Sequence, residues 1–269
     1  MAKIAFIGGG NMASSLIGGL IKQGFAAADL IACDPLEQSR KRLADDFGIT
    51  TSASNDCAAE AEVVVLAVKP QIMKSVATDL AGALGHRPLV ISIAAGISVA
   101  ALQRWLGKDI ALVRCMPNTP ALLQKGAAGL YASDAVNDQQ RSQAEAIISA
   151  VGTVNWFDRE EDLDRVTALS GSGPAYFFLV MEAMENAGVE LGLEREVARQ
   201  LTIQTALGAA AMAAQGDAEP AELRARVTSP GGTTEAAINS FINAGLPRLF
   251  EQAITAAFQR AVDMAREAQ

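Results

Sequence analysis

A chain of 269 residues, half of them hydrophobic, is neither disordered nor fibrous and is long enough to bury one or two substantial cores. Its 22 basic and 30 acidic residues leave a formal charge of −8, which excludes an extended nucleic-acid surface and requires any anionic ligand to be held locally. Cys33, Cys57 and Cys115 are odd in number and widely spaced with no CxxC pair, so they read as small reduced core residues and no metal site is expected.

Residues 4–7 form an apolar strand close to Met1, so no signal peptide is expected before it. Gly8-Gly9-Gly10-Asn11-Met12-Ala13 follows, and Ser14 to Lys22 continues with helical periodicity. This strand, glycine turn and helix reads as a dinucleotide-binding unit: Gly8 permits the turn, Gly10 admits a pyrophosphate, and Ala13 lets helix and strand pack closely. A second strand, Leu30–Cys33, ends at Asp34, the spacing at which an acidic residue meets the adenosine ribose and favours NAD. Ser39, Arg40 and Arg42 follow closely and could hold a 2′-phosphate instead, so the choice between NADH and NADPH stays open.

Val63–Val68 is a β-branched run of the kind that is buried on both faces of a parallel sheet, and it leads to Lys69-Pro70 and a helix over 71–84. His86, the one histidine, sits in a Gly-His-Arg-Pro turn, poorly placed for a base. Strands at 89–93 and 110–114 end at Ala94-Ala95-Gly96 and at Met116-Pro117-Asn118-Thr119-Pro120, with a helix capped by Ser98 between them. Segments 129–132 and 154–157, separated by a helix over 139–151, complete a sheet expected to be largely parallel. Ligands bind at the carboxyl ends of such strands, and small residues at 94–96 leave room for a flat ring.

From about Asp162 every periodic stretch is helical. Ser170-Gly171-Ser172-Gly173-Pro174 opens a long apolar helix through Ala187, and residues 194–215 form another that is apolar nearly all round at 205–214. Too few neighbours exist to bury that helix, so it is read as packing against a second copy of the chain. The stretch Ser229-Pro230-Gly231-Gly232-Thr233-Thr234-Glu235 stops one helix and, with Thr233 or Thr234 as cap, starts another over 235–243. Its free amides and two hydroxyls at a positive helix end suit a small carboxylate. A helix over 247–267 closes the chain. No apolar helix runs uninterrupted to membrane-spanning length, and a soluble cytoplasmic protein is expected.

The glycine turn with Asn11-Met12, Val68-Lys69-Pro70, Ser92–Gly96, Met116–Pro120, Ser170–Tyr176 and Ser229–Thr234 occur in this order. Together they resemble pyrroline-5-carboxylate reductase over essentially the whole chain. The resemblance implies an α/β N-terminal Rossmann-type doubly wound sheet (1–160) followed by an all-α dimerisation and substrate-binding domain (161–269). It further implies NADPH or NADH as cofactor, the site between the domains, interlocked C-terminal helices in a homodimer, and decamers among the family's higher assemblies. By motif match, Gly8, Gly9, Gly10, Asn11, Met12, Asp34, Asn55, Val68, Lys69, Pro70, Ala94, Ala95, Gly96 and Asn118 would border the cofactor. Ser229, Gly231, Gly232, Thr233 and Thr234 would hold the substrate, with Thr234 as the catalytic residue near the ring nitrogen. An acidic substrate contact within 158–164 is also implied.

The implied reaction reduces the cyclic imine 1-pyrroline-5-carboxylate to L-proline, the last step of proline biosynthesis. Such an imine is partly protonated near neutral pH and accepts a hydride directly, so a chain with one poorly placed histidine suffices. Two other readings are weighed. A β-hydroxyacid dehydrogenase needs a base for the alcohol proton and carries a lysine on the first long helix of its second domain, whereas no lysine follows Ala175 before Arg195 here. A non-catalytic NAD(P)-binding sensor would tolerate any second half, and the Ser229–Thr234 loop argues against it.

Overall fold

The computed structural model describes residues 2–216 and 218–267. The chain forms two compact units: 1–172 together with 257–269, and 173–256.

In the first unit, β1 (Ile4–Ile7), β2 (Leu30–Cys33), β3 (Thr50–Ser52), β4 (Val63–Leu66), β5 (Leu89–Ser92), β6 (Ala111–Met116), β7 (Gly126–Ala132) and β8 (Gly152–Trp156) build a single sheet. Its order is β3-β2-β1-β4-β5-β6-β7-β8. Strands from β3 through β6 are mutually parallel; β7 runs antiparallel to β6, and β8 is parallel to β7. The chain leaves β1 toward β2 on one side and returns on the other as β4, so the loops after β1 and β4 diverge and open a crevice.

Alternation within each strand sends side chains to two cores. Ile4 and Phe6 face one, packed by α1 (Asn11–Lys22), α2 (Glu37–Phe47) and α5 (Asp138–Ser149) through Leu16, Leu43 and Ile147. Ala5 and Ile7 face the other, covered by α3 (Pro70–Leu80) and α4 (Val99–Leu106) through Met73, Leu80 and Leu102. Pro70 occupies the first turn of α3, where its missing N–H costs nothing, which is why the helix starts directly after Lys69. A short α6 (Asp162–Val166) and a π-helical turn at Thr167–Gly171 end this stretch.

The second unit is helical: α7 (Gly173–Glu190), α8 (Arg195–Ala214), α9 (Pro220–Arg226), α10 (Thr233–Asn243) and the first part of α11 (Leu246–Glu267). Within one protomer α7 buries only Gly173, and Phe177, Phe178, Leu179, Leu201 and Leu207 are each more than half exposed. No described helix is long and apolar enough to cross a membrane.

Four expectations change. Strand β3 and the 3-10 turn at Asn55–Glu60 were not anticipated; a three-residue polar Thr-Thr-Ser edge carries no apolar signature. The sheet's last pair reverses direction at β7. The first turn of α10 is capped by Gly232 with no side-chain hydrogen bond, so Thr233 and Thr234 are already helical rather than caps. Finally, Cys33 and Cys57 are joined as a disulfide with Cα atoms 6.9 Å apart, because the 3-10 turn folds back onto the end of β2. Only Cys115 is a free thiol among the described residues, and burial pushes its pKa up.

Candidate functional site

A cleft of about 370 Å³ opens at the carboxyl ends of β1, β2 and β4. Gly8 and Gly10, Asp34, Asn55, and Val68 with Lys69 all line it, which brings together residues from four separated motifs. Pro35, Leu36, Ala53 and Ile72 also line it and were missed, since isolated apolar residues carry no chemical signature.

The glycine turn has two different jobs. Gly8 has φ +102°, and a Cβ there would stand 2.7 Å from the Ala67 carbonyl oxygen, so only glycine lets β1 and the loop after β4 approach. Gly10 is exposed, with nothing within 4 Å of where its Cβ would be. It is the N-cap of α1, with no side-chain cap and no acidic residue in the first turn. The unpaired amides of that turn carry partial positive charge into open space, which fits the pyrophosphate of a dinucleotide. Gly9 is buried and contributes by a hydrogen bond: its N–H donates to Asp34 Oδ2 at 2.7 Å. The Asp34 Oδ1 accepts the Leu36 N–H at 2.8 Å, so the carboxylate is fixed at the cleft edge by two backbone donors.

Each of the two arginines that could reach a 2′-phosphate turns one guanidinium nitrogen to backbone carbonyls. Arg40 donates to the carbonyls of Asp34 (2.8 Å) and Pro35 (2.9 Å), and Arg42 to the carbonyl of Gly9 at 2.8 Å. His86 Nε2 lies 2.8 Å from the Ala61 carbonyl, an ordinary loop contact.

Other expected cofactor residues lie outside this cleft's lining. Met12 packs against the first core, Asn11 opens α1, and Pro70 opens α3 beside Lys69. Ala94, Ala95 and Gly96 form the loop after β5, the next strand along the rim from β4. The Asn118 amide ties loops together: Nδ2 donates to the Ser170 carbonyl at 3.1 Å, and Oδ1 accepts the Ala127 N–H at 2.9 Å. A wider hollow of about 620 Å³ at the first residues of β7 and β8 gathers no comparable chemistry.

In the helical unit, Ser229 and Gly231 are exposed and Thr234 is half-buried. Gly231, at φ +73°, makes the turn possible. Its N–H donates to Glu235 Oε2 at 2.8 Å and the Gly232 N–H to the Ser229 carbonyl at 3.0 Å. Of the four amides from Gly231 to Thr234, two are therefore used within the loop. The amides of Thr233 and Thr234 belong to the first turn of α10, where no intrahelical acceptor exists. A carboxylate already accepting from this loop, that of Glu235, shows the charge such a turn favours.

Within the acidic segment 158–164, two carboxylates are ion-paired. Glu160 forms an ion pair with Arg114, and Asp162 pairs with Arg159 and Arg165. The Arg159 hydrogen bond holds the Asp162 carboxyl below its ordinary pKa, whereas burial raises that of Asp164.

Comparison with known proteins adds the following. Residues 160–264 match the family model described as pyrroline-5-carboxylate reductase dimerisation, and residues 3–96 match that of NADP oxidoreductase, coenzyme F420-dependent. The pyrroline-5-carboxylate reductase of Pseudomonas aeruginosa is 57% identical over 98% of this chain and 97% of its own. A solved structure of that reductase from Coxiella burnetii is 43% identical with a TM-score of 0.95, covering 98% of both chains. The Plasmodium falciparum pyrroline carboxylate reductase, solved with NADP bound, is 29% identical with a TM-score of 0.86, again covering 98% of both chains.

Proposed function

The chain belongs to the pyrroline-5-carboxylate reductase family, and from that premise we propose how its own residues reduce the cyclic imine 1-pyrroline-5-carboxylate to proline. The observation that carries the proposal is the uncapped amino end of α1 behind the open face of Gly10, with Asp34 fixed beside it. Bound NADH or NADPH supplies the hydride. Gly10 and the first turn of α1 hold the pyrophosphate, Asp34 receives the adenosine ribose, and Asn55, Val68 and Lys69 wall the cleft.

The substrate carboxylate is assigned to the amides of Thr233 and Thr234, at the positive end of α10. The Thr234 hydroxyl orients the ring nitrogen, and Ser229, Gly231 and Gly232 shape the loop. A protonated imine takes a hydride without a strong general acid, and water supplies its proton. What the protein contributes is position, worth roughly 7–11 kcal/mol when two reactants are held in near-attack geometry. Asp34 with Arg40 and Arg42 turned to carbonyls favours NADH, since a carboxylate at the cleft edge repels a 2′-phosphate.

The exposed apolar helices of residues 161–269 are assigned to a homodimer with interlocked helices, and decamers are a further assembly open to that dimer. The reading places the enzyme in the cytoplasm, where reduced nicotinamide is plentiful. The experiment is an initial-rate comparison of NADH and NADPH oxidation with racemic pyrroline-5-carboxylate. Unchanged absorbance of the reduced nicotinamide with both cofactors would defeat the reading; faster NADPH oxidation would defeat the assigned preference.

A further inference from the structure

Arg114 and Glu160 make a pairing that nothing in the cofactor cleft requires. Arg114 lies on β6 with 8% of its side chain exposed, and its Nη1 donates to Glu160 Oε1 at 2.7 Å. The same Glu160 oxygen accepts the Val99 N–H at 2.7 Å. Val99 is the first residue of α4, and Ser98, its N-cap, accepts from the Ala101 N–H. A buried ion pair is seldom the most stable choice at a position, because desolvation offsets its attraction; its attested use is to fix geometry.

What this pair fixes is the loop after β5. At its start, the Ile93 N–H donates to the Leu66 carbonyl, and the Ala94 N–H reaches Ser92 Oγ at 3.4 Å. At its end, Val99 is held by Glu160. Between those two ties lie Ala94, Ala95 and Gly96, the last at φ +73° and near enough to α11 that a Cβ there would stand 3.6 Å from Met264 and Ala265. An extended dinucleotide with its ribose at β2 and its pyrophosphate at β1 runs across the switch point past β4, and the next strand on that path is β5. We propose that Arg114 and Glu160 are positioning residues that set the loop Ala94–Gly96 against the nicotinamide ring through the Val99 amide.

This rests on the cofactor reading given above, so the test separates the two. Val99→Pro removes one donor at a helix position where proline fits, and leaves the ion pair intact. Glu160→Ala removes the acceptor, and Glu160→Gln restores a carbonyl acceptor without charge. Dissociation constants for NADH and NADPH are read by tryptophan quenching, the mobility of the bound ring by nicotinamide fluorescence anisotropy, and hydride transfer by kcat and its primary isotope effect with 4-deuterated cofactor. Expected are roughly tenfold lower kcat, a larger isotope effect and lower anisotropy in Val99→Pro and Glu160→Ala, with affinity within about threefold of wild type. Glu160→Gln should recover most of the loss. Should Glu160→Ala fail to fold, Val99→Pro carries the test alone. Unchanged kcat and isotope effect in Val99→Pro would overturn the proposal, as would Glu160→Gln behaving no better than Glu160→Ala. Wild-type protein that binds neither cofactor would overturn the reading of the cleft itself, and this inference with it.

Discussion

Replacing Gly8 and Gly10 separately by alanine should split stability from cofactor binding. At Gly8, alanine must adopt φ +102°, and its Cβ would lie 2.7 Å and 2.9 Å from the Ala67 carbonyl oxygen and carbon. The dihedral costs about 1–3 kcal/mol, and displacing backbone that cannot swing aside adds about 1–3 kcal/mol. Against a total stability of about 5–15 kcal/mol the variant still folds. Its melting temperature should fall by roughly 10 °C, at 2–4 °C per kcal/mol for a domain of this size. Gly10 has φ −73° and empty space over its Cα, so alanine there costs at most about 1 kcal/mol through the poorer helix cap. The new methyl nevertheless stands in front of the first amides of α1. Gly10→Ala should therefore melt within a few degrees of wild type while binding NADH at least about tenfold more weakly, a difference of ~1.4 kcal/mol. Differential scanning fluorimetry and a direct binding titration report the two quantities independently. Near-wild-type affinity in Gly10→Ala would refute the placement of the pyrophosphate, and a normal melt in Gly8→Ala would refute the steric argument.

Thr234→Ala should lower kcat by roughly five- to hundredfold, the worth of one hydrogen bond of about 1–3 kcal/mol. Cofactor affinity should hardly move; steady-state kinetics equal to wild type would remove Thr234 from the mechanism. Asp164→Asn should raise the melting temperature at pH 7. Burial holds the folded pKa of Asp164 above 3.8, so its favourable contribution is complete below the unfolded value and is lost as pH rises through the folded one. The difference between variant and wild type should thus vanish in melts taken below about pH 3.8, and a variant less stable at pH 7 would contradict the sign. Leu207→Asp places a charge on a side chain that is 62% exposed in one protomer, and sedimentation should show dissociation of the proposed homodimer. A variant sedimenting as wild type would exclude that face of α8 from the interface.

The parts of the fold that were legible in the sequence are those where chemistry and period agree. Val63–Leu66 is buried on both faces and reads as a central parallel strand from its β-branched run alone. Gly8, Gly10 and Asp34, which line one cleft, were legible because a tight turn, an open helix end and an acidic strand end each demand a residue type at a set spacing. Strand β3 was illegible because Thr50–Ser52 sits at the sheet edge, where burial imposes no pattern. The reversal at β7 was hidden too, since Gly126–Ala132 has the same small apolar composition in either direction. Loop amides were overcounted at Gly231 and Gly232 because a chain cannot be inspected for its own internal acceptors, here Glu235 and Ser229. The Arg114–Glu160 pair left two weak traces, a cation ending a strand and an acidic run at 158–164, but only the fold puts them together across 46 residues.

Helix α11 begins in one compact unit and ends in the other, with residues from 257 onward belonging to the dinucleotide-binding unit. During translation, then, the ribosome releases the last turns of that unit only after all of the helical unit has been made. Until those turns emerge, the loop at Gly96 lacks Met264 and Ala265 as its neighbours, which a Cβ at Gly96 would meet at 3.6 Å. A nascent chain halted between the end of β8 and residue 257 would have every strand of the sheet but a rim still unfinished.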